Sequence, residues 1–178
     1  FGGGIDIVRS AIIDNQCDSL GGGISNFSST MNIANSTISG NRADSSGGGI
    51  RNTGALSMTH VTITGNTADF NGDNIGDGGG IRSQAGAVVM KAVILAGNVD
   101  NSPPGGTINP DGTGALVSAG YNIVGDAAGM TGIVDAVNND RIGIDPLLDP
   151  RTGSPPYFPL QLASPAIDQI PPQDCTYI

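Results

Sequence analysis

The chain has 178 residues, of which 38% are hydrophobic, 29 are glycine, only 4% are aromatic and none is tryptophan. That apolar share excludes a disordered low-complexity chain. Sixteen acidic residues, every one an aspartate, stand against seven basic ones for a formal net charge of −9, which excludes a surface built to neutralise nucleic-acid phosphates and disfavours anionic membranes.

In chain order, Gly-Gly-Gly-Ile occurs at Gly2–Ile5, Gly21–Ile24, Gly47–Ile50 and Gly78–Ile81, with a weaker copy at Gly105–Ile108. The intervals of 19, 26, 31 and 27 residues have the size expected of a solenoid repeat. A second motif follows each glycine run: Arg9–Asn15, Asn35–Asn41, His60–Asn66, Ala92–Asn98 and Tyr121–Asp126, most of them ending in Gly-Asn. A third lies between the two, at Gly54–Met58, Gly86–Met90 and Gly114–Ser118. Each unit reads as three short strands, because Ile-x-x and Val-x-Ile alternation buries one face and Gly, Asn and Asp punctuate the turns. The stretches are too short and too rich in Gly, Ser and Thr for helices.

The predicted fold is therefore all-β, a right-handed single-stranded parallel β-helix with a C-terminal cap. Residues 1–126 are read as about five coils and 127–178 as a closing coil and proline-rich cap. Inward ladders are expected at Ile5, Ile24, Ile50, Ile81 and Ile108; at Leu56, Val88 and Leu116; and at Ile12, Ile38, Ile63, Leu95 and Ile123. Asn15, Asn41, Asn66 and Asn98 should form an amide ladder that Asp126 continues. The first coil is short, with its middle strand missing or compressed. Because Phe1 falls in mid-motif, the residues read as part of a longer protein. Strands at Thr131–Val134 and Ile142–Ile144 would close the stack, and the prolines from Pro146 onward suit its exposed end.

Gly-Gly-Gly-Ile-x-Asn followed by Thr-Ile-Ser-Gly-Asn resembles bacterial parallel β-helix surface proteins, among them polymorphic outer-membrane protein repeats and choice-of-anchor secreted proteins. The order Gly120–Asp126, Asp145-Pro-Leu-Leu148, Ser164-Pro-Ala-Ile-Asp168 resembles the latter group. The resemblance implies an extracellular or cell-surface location and a structural or adhesive role. It is poor for activity, since the same architecture serves adhesins, fibres and polysaccharide-cleaving enzymes.

His60 is the sole histidine, so a Ser-His-Asp triad or histidine-based metal cluster is incomplete, and no aspartate pair forms a glycosidase pattern; no catalytic residue is assigned. Arg51 and Arg82 follow successive glycine runs and could grip an acidic polysaccharide, the alternative being two solvated side chains. Asp69, Asn71, Asp73 and Asp77 place oxygens at alternate positions, as in the first half of a calcium loop. Asn74 replaces the next glycine and no closing Glu follows, so a polar insertion is the plainer reading, and no other cofactor is indicated. Thr37, Ser39, Thr62 and Thr64 form two rungs of hydroxyls, too few for an ice-binding face. Cys17 and Cys175 should lie several coils apart, which disfavours their pairing. Head-to-tail self-association into a filament is the remaining expected partnership; no stretch is apolar enough for membrane insertion.

Overall fold

The computed structural model describes residues 4–102 and 109–175. These residues form β-strands and turns with no helix, and the strands of successive repeats pair in parallel. The first repeat gives β1 (Gly4–Val8), β2 (Ala11–Ile13) and β3 (Gln16–Cys17); the second β4 (Ile24–Asn26), β5 (Thr30–Ser39) and β6 (Arg42–Ala43). The third gives β7 (Ile50–Asn52), β8 (Ala55–Thr64) and β9 (Thr67–Ala68). The fourth gives β10 (Ile81–Ser83), β11 (Val88–Lys91), β12 (Ile94–Leu95) and β13 (Val99–Asp100). Then come β14 (Gly112–Ala115), β15 (Val117–Ser118), β16 (Ile123–Val124), β17 (Met130–Thr131) and β18 (Arg141–Ile142).

Three sheets result. A nine-stranded sheet follows the path β1-β5-β8-β12-β16-β18, with β2, β11 and β15 alongside; a five-stranded sheet runs β17-β14-β10-β7-β4; a four-stranded sheet runs β13-β9-β6-β3. Their inward side chains meet in one apolar cluster that includes Ile24, Ile50 and Ile81 from the five-stranded sheet and Leu56, Met58, Ile63 and Leu95 from the nine-stranded one. The long strands β5 and β8 bend at Asn35 and His60, whose φ angles are 48° and 55°; Arg9, Ala92 and Tyr121 take the same left-handed conformation in other repeats.

Most of the expected columns are present, with three corrections. Ile24, Ile50 and Ile81 pair in register, but the next partner is Gly112, and Ile108 lies outside the described residues, as do Gly2, Gly3 and Gly105. Ile5 pairs with Met31 and so joins the column of Leu56 and Val88. Gly4–Val8 is thus the middle strand of the first repeat; the strand without a described first-repeat counterpart is the one that precedes it. Third, Leu95 pairs with Val124, not Ile123. Ile123 faces outward against the C-terminal segment, so both residues are apolar and buried and pattern alone does not separate them.

The asparagine column forms as side-chain amide bonds. Asn15 Nδ2 donates to Asn41 Oδ1, Asn41 to Asn66 and Asn66 to Asn98, each at 2.9 Å. The same acceptor oxygens take backbone N–H groups of the preceding asparagines. Asp126 does not continue this column. Asn98 instead donates its side-chain amide and its backbone N–H to Asp111 Oδ1, both at 2.9 Å, and Asp111 Oδ2 accepts the Asp126 N–H at 2.7 Å. Leu95 pairing with Val124 puts Ala127, which has no amide, where Asn98 sits one repeat earlier, and the Asp111 carboxylate fills the gap. A shorter column ends likewise: Asn122 donates Nδ2 and N–H to Asp140 Oδ1 at 2.9 Å.

The glycine runs and the asparagines are two halves of one packing site. The first glycine of a run has positive φ, as at Gly47 with 70°. The third has no room for a side chain: a Cβ on Gly49 would lie 2.5 Å from the Gly80 carbonyl oxygen and 3.1 Å from the Asn66 amide.

From Ile144 the chain turns back along the flank of the nine-stranded sheet. Ile144, Pro146 and Leu148 lie beside Thr64, Ala96 and Gly125. Arg151 then reaches Asp14 in the first repeat through two bonds of 2.8 and 3.1 Å. Antiparallel bridges Thr152–Tyr157 and Leu148–Leu160 mark the reversal, and the returning segment ends with Asp174 bonded to Lys91 at 3.0 Å and to the Tyr121 hydroxyl at 3.2 Å. Residues 144–174 therefore form a lateral strap over the stacked repeats. Among the described residues no helix is long and apolar enough to cross a membrane.

Candidate functional site

Arg51 and Arg82 are in register on neighbouring strands β7 and β10, so the parallel pairing places them side by side as expected. Their head groups are not free to act together. Arg82 Nη1 bonds Asp77 Oδ1 at 2.7 Å and also Ser46 Oγ, while Arg51 Nη2 donates to Gln84 Oε1 at 3.1 Å. One guanidinium is thus turned to the loop before β10 and the other to the loop after it. The pair forms no two-armed clamp of the kind that grips a carboxylate or sulfate.

The four oxygens of the candidate calcium loop are also separated by their bonds. Asp69 is buried, because its neighbours Ala68 and Phe70 are held to the stack by strand pairing and by the Phe70 N–H to the Ala43 carbonyl. Its Oδ1 accepts the Asn74 N–H at 3.2 Å, and its Oδ2 has no protein partner. Asn71 and Asp73 are exposed and bond each other, with Asp73 Oδ1 accepting the Ile75 N–H at 2.9 Å, an Asx turn. Asp77 is turned the other way, onto Arg82. Among the described residues no three His, Cys, Asp or Glu side chains gather where a metal could bind. Phe70 packs instead under Arg42, whose guanidinium carbon is 4.6 Å from the ring centre.

His60 sits at the bend of β8, opposite Ala92 one repeat on; burial, and then the nearby Lys91 charge, hold its pKa below the ordinary histidine value. Its Nε2 is buried without a partner, and no nucleophile or carboxylate is bonded to it. Cys17 and Cys175 are both free thiols, Cys17 half-buried beside the Leu20 carbonyl and Cys175 exposed. The Thr62 and Thr37 face is not an open hydroxyl array: its next rungs, Ile94 and Ile123, lie under Leu160, Ala166 and Ile170 of the strap.

What the pattern of residues did not reveal are the groups that finish the columns and tie the strap. Asp111 is almost fully buried, and burial raises its pKa against the lowering effect of its bonds from Asn98 and Asp126. Asp14 has the opposite shift, lowered chiefly by the hydrogen bond from Arg151. Asp111 belongs to no repeated motif, so only its spacing from a column end could have singled it out; Asp14 stands in the Arg9–Asn15 copy at the place of Gly40, but its partner Arg151 lies outside the repeats. An open groove of roughly 380 Å³ lies over Asp6, Val8, Asn32, Ala34, Ser57 and Thr59, where Asn32 Nδ2 donates to Asp6 Oδ1 at 2.8 Å. It holds no cluster of convergent charged groups. Comparison of the chain with protein-family models, curated proteins and solved structures finds no match.

Proposed function

We propose that this chain is a stretch of right-handed single-stranded parallel β-helix that serves as a rigid, non-catalytic structural or adhesive segment of a secreted or cell-surface bacterial protein. The observation that carries the reading is where the polar side chains go. The column asparagines, Ser83, and Asp6, Asp14, Asp111, Asp140 and Asp174 bond from one repeat to another or between the repeats and the strap, so much of the polar chemistry goes to holding repeats together. Uninterrupted parallel pairing from β1 to β18 supports continuous winding. Right-handedness follows from the strong preference of parallel crossover connections. The location rests on the resemblance of the glycine and asparagine motifs to bacterial surface proteins.

The rival reading, a polysaccharide-binding or polysaccharide-cleaving protein, would use the Arg51–Arg82 face. A panel of acidic and neutral polysaccharides, assayed for binding and for new reducing ends or unsaturated uronate absorbance, separates the two. We expect neither binding nor cleavage. Cleavage or binding that disappears in an Arg51→Ala, Arg82→Ala variant would transfer the assignment to the rival. For location, protease treatment of intact source cells should release the segment; protection until lysis would contradict surface display.

A further inference from the structure

The asparagines fall into two populations. Those of the columns are locked: Asn41, Asn66 and Asn122 are fully buried, and each donates its amide both to a side chain and to a backbone carbonyl of another repeat. Asn71 is the opposite case. It lies on the exposed loop between β9 and β10, and it is the only asparagine in the sequence that precedes a glycine. That pairing matters because an asparagine side chain can be attacked by the peptide nitrogen of the next residue, and glycine has no Cβ to stand in the way. Gly72 has a φ of 71° and no atom within 4 Å of where a Cβ would lie, so its peptide is open on that side.

The loop also holds the amide in place. Asn71 Oδ1 accepts the Asp73 N–H at 3.2 Å, and Asn71 Nδ2 donates to Asp73 Oδ2 at 3.0 Å. This Asx turn folds the side chain back over the intervening Gly72 peptide. The Asp73 N–H points at the oxygen on which negative charge develops when Cγ is attacked, the place where a fixed donor lowers a barrier. The opposing restraint is a bond from the Gly72 N–H to the Asp69 carbonyl at 3.2 Å, at the long limit of the normal range. Asp77-Gly78 and Asp111-Gly112 could close the same ring, but Asp77 is held by Arg82, and Asp111 is buried with both oxygens bonded.

We propose that Asn71 is a site of spontaneous modification, converting in the folded chain to aspartate and isoaspartate through a cyclic imide. The Gly72 nitrogen gives its proton to solvent base and bonds Asn71 Cγ. The Cγ–Nδ2 bond then breaks, and the nitrogen takes up a proton and leaves as ammonia. Water opens the ring at either carbonyl, so one water is consumed and one ammonia released, with no change of oxidation state. The products carry a new carboxylate beside Asp73, where an amide-to-carboxylate bond is replaced by like charges. The loop's ends stay anchored, by the Asp69 N–H on the Ser45 carbonyl and the Asp77 N–H on Ser46 Oγ, so the amide columns are untouched.

The test incubates the intact chain at mildly alkaline pH, folded in one arm and unfolded in guanidinium chloride in the other, and follows its peptides by mass spectrometry. A gain of one mass unit should appear first at residue 71, divided between an aspartate and an isoaspartate product. The folded chain should convert at least as fast as the unfolded one. Gly72→Ala should slow the conversion several-fold in both arms, and Asn71→Gln, which has to close a larger ring, should abolish the gain at that position. Faster conversion at any other asparagine of the folded chain would overturn the proposal. So would a folded rate several-fold below the unfolded rate, which would mean that the bond to the Asp69 carbonyl protects the site.

Discussion

A single asparagine in the middle of a column carries more bonds than its size suggests. Asn66 Oδ1 accepts both the side-chain amide and the backbone N–H of Asn41, and its own Nδ2 bonds Asn98 Oδ1 and the Ile38 carbonyl. Asn66→Ala orphans two buried donors at once, at about 1–3 kcal/mol for each. Urea unfolding should show a loss in that range or above, whereas an exposed asparagine such as Asn71 should tolerate alanine within about 0.5 kcal/mol. The two perturbed aspartates act in opposite directions on pH dependence. Asp111 has a folded pKa raised by burial, so between the ordinary carboxylate value and that raised value the folded chain holds a proton the unfolded chain has released. Its contribution to stability therefore falls as pH rises through this window. Asp111→Asn removes that slope, and the stability difference should shift in the wild type's favour as pH is lowered; a shift the other way contradicts burial as the dominant cause.

Among elements, the strap is the one whose role is least visible in its own sequence. Arg151 joins the reversal of the strap to Asp14 across 137 residues of sequence. Asp14 has a depressed folded pKa, so the pair stabilises above the ordinary carboxylate value and is lost as pH falls through the depressed one. Because both side chains are substantially exposed, the energy is small, and the expected effect of Arg151→Ala is local. The Asp14 carboxyl should titrate at the ordinary value by NMR, and amides of β1 and β2 should exchange faster while those of β8 do not change. Uniform acceleration across the chain would mean the strap is holding the whole stack. The strands were legible because the repeat writes them several times over: Ile24, Ile50 and Ile81, or Ile38, Ile63 and Leu95, announce equivalent positions by recurrence. The strap's contacts occur once each, so recurrence says nothing of them. The same absence hid Asp111, and the strap's cover over Ile123 blurred which of two adjacent apolar residues faces inward. The candidate sites failed to converge for a different reason. Composition showed that Arg82 and Asp77 were present, but their pairing with each other, which removes both from their assigned roles, depends on the loop's path.

For the molecule as a whole, stability comes from repetition of modest contacts, parallel backbone ladders, stacked aliphatic side chains and directional amide columns, in place of a single wide core. Aromatic residues are scarce, and the inward positions go to isoleucine, leucine, valine and methionine, whose shapes stack at the strand spacing of about 4.8 Å. The proposed role as a rigid segment depends on this stacking being continuous from repeat to repeat. It can be measured with spin labels on the column Ser25, Arg51, Arg82 and Thr113, after serine replaces Cys17 and Cys175. Pairs one, two and three repeats apart, Ser25 with Arg51, with Arg82 and with Thr113, should separate in equal backbone steps of about 5, 10 and 14 Å. Distances that fail to grow in that order, or a Ser25–Thr113 pair as close as Ser25–Arg51, would contradict the stacked-repeat architecture.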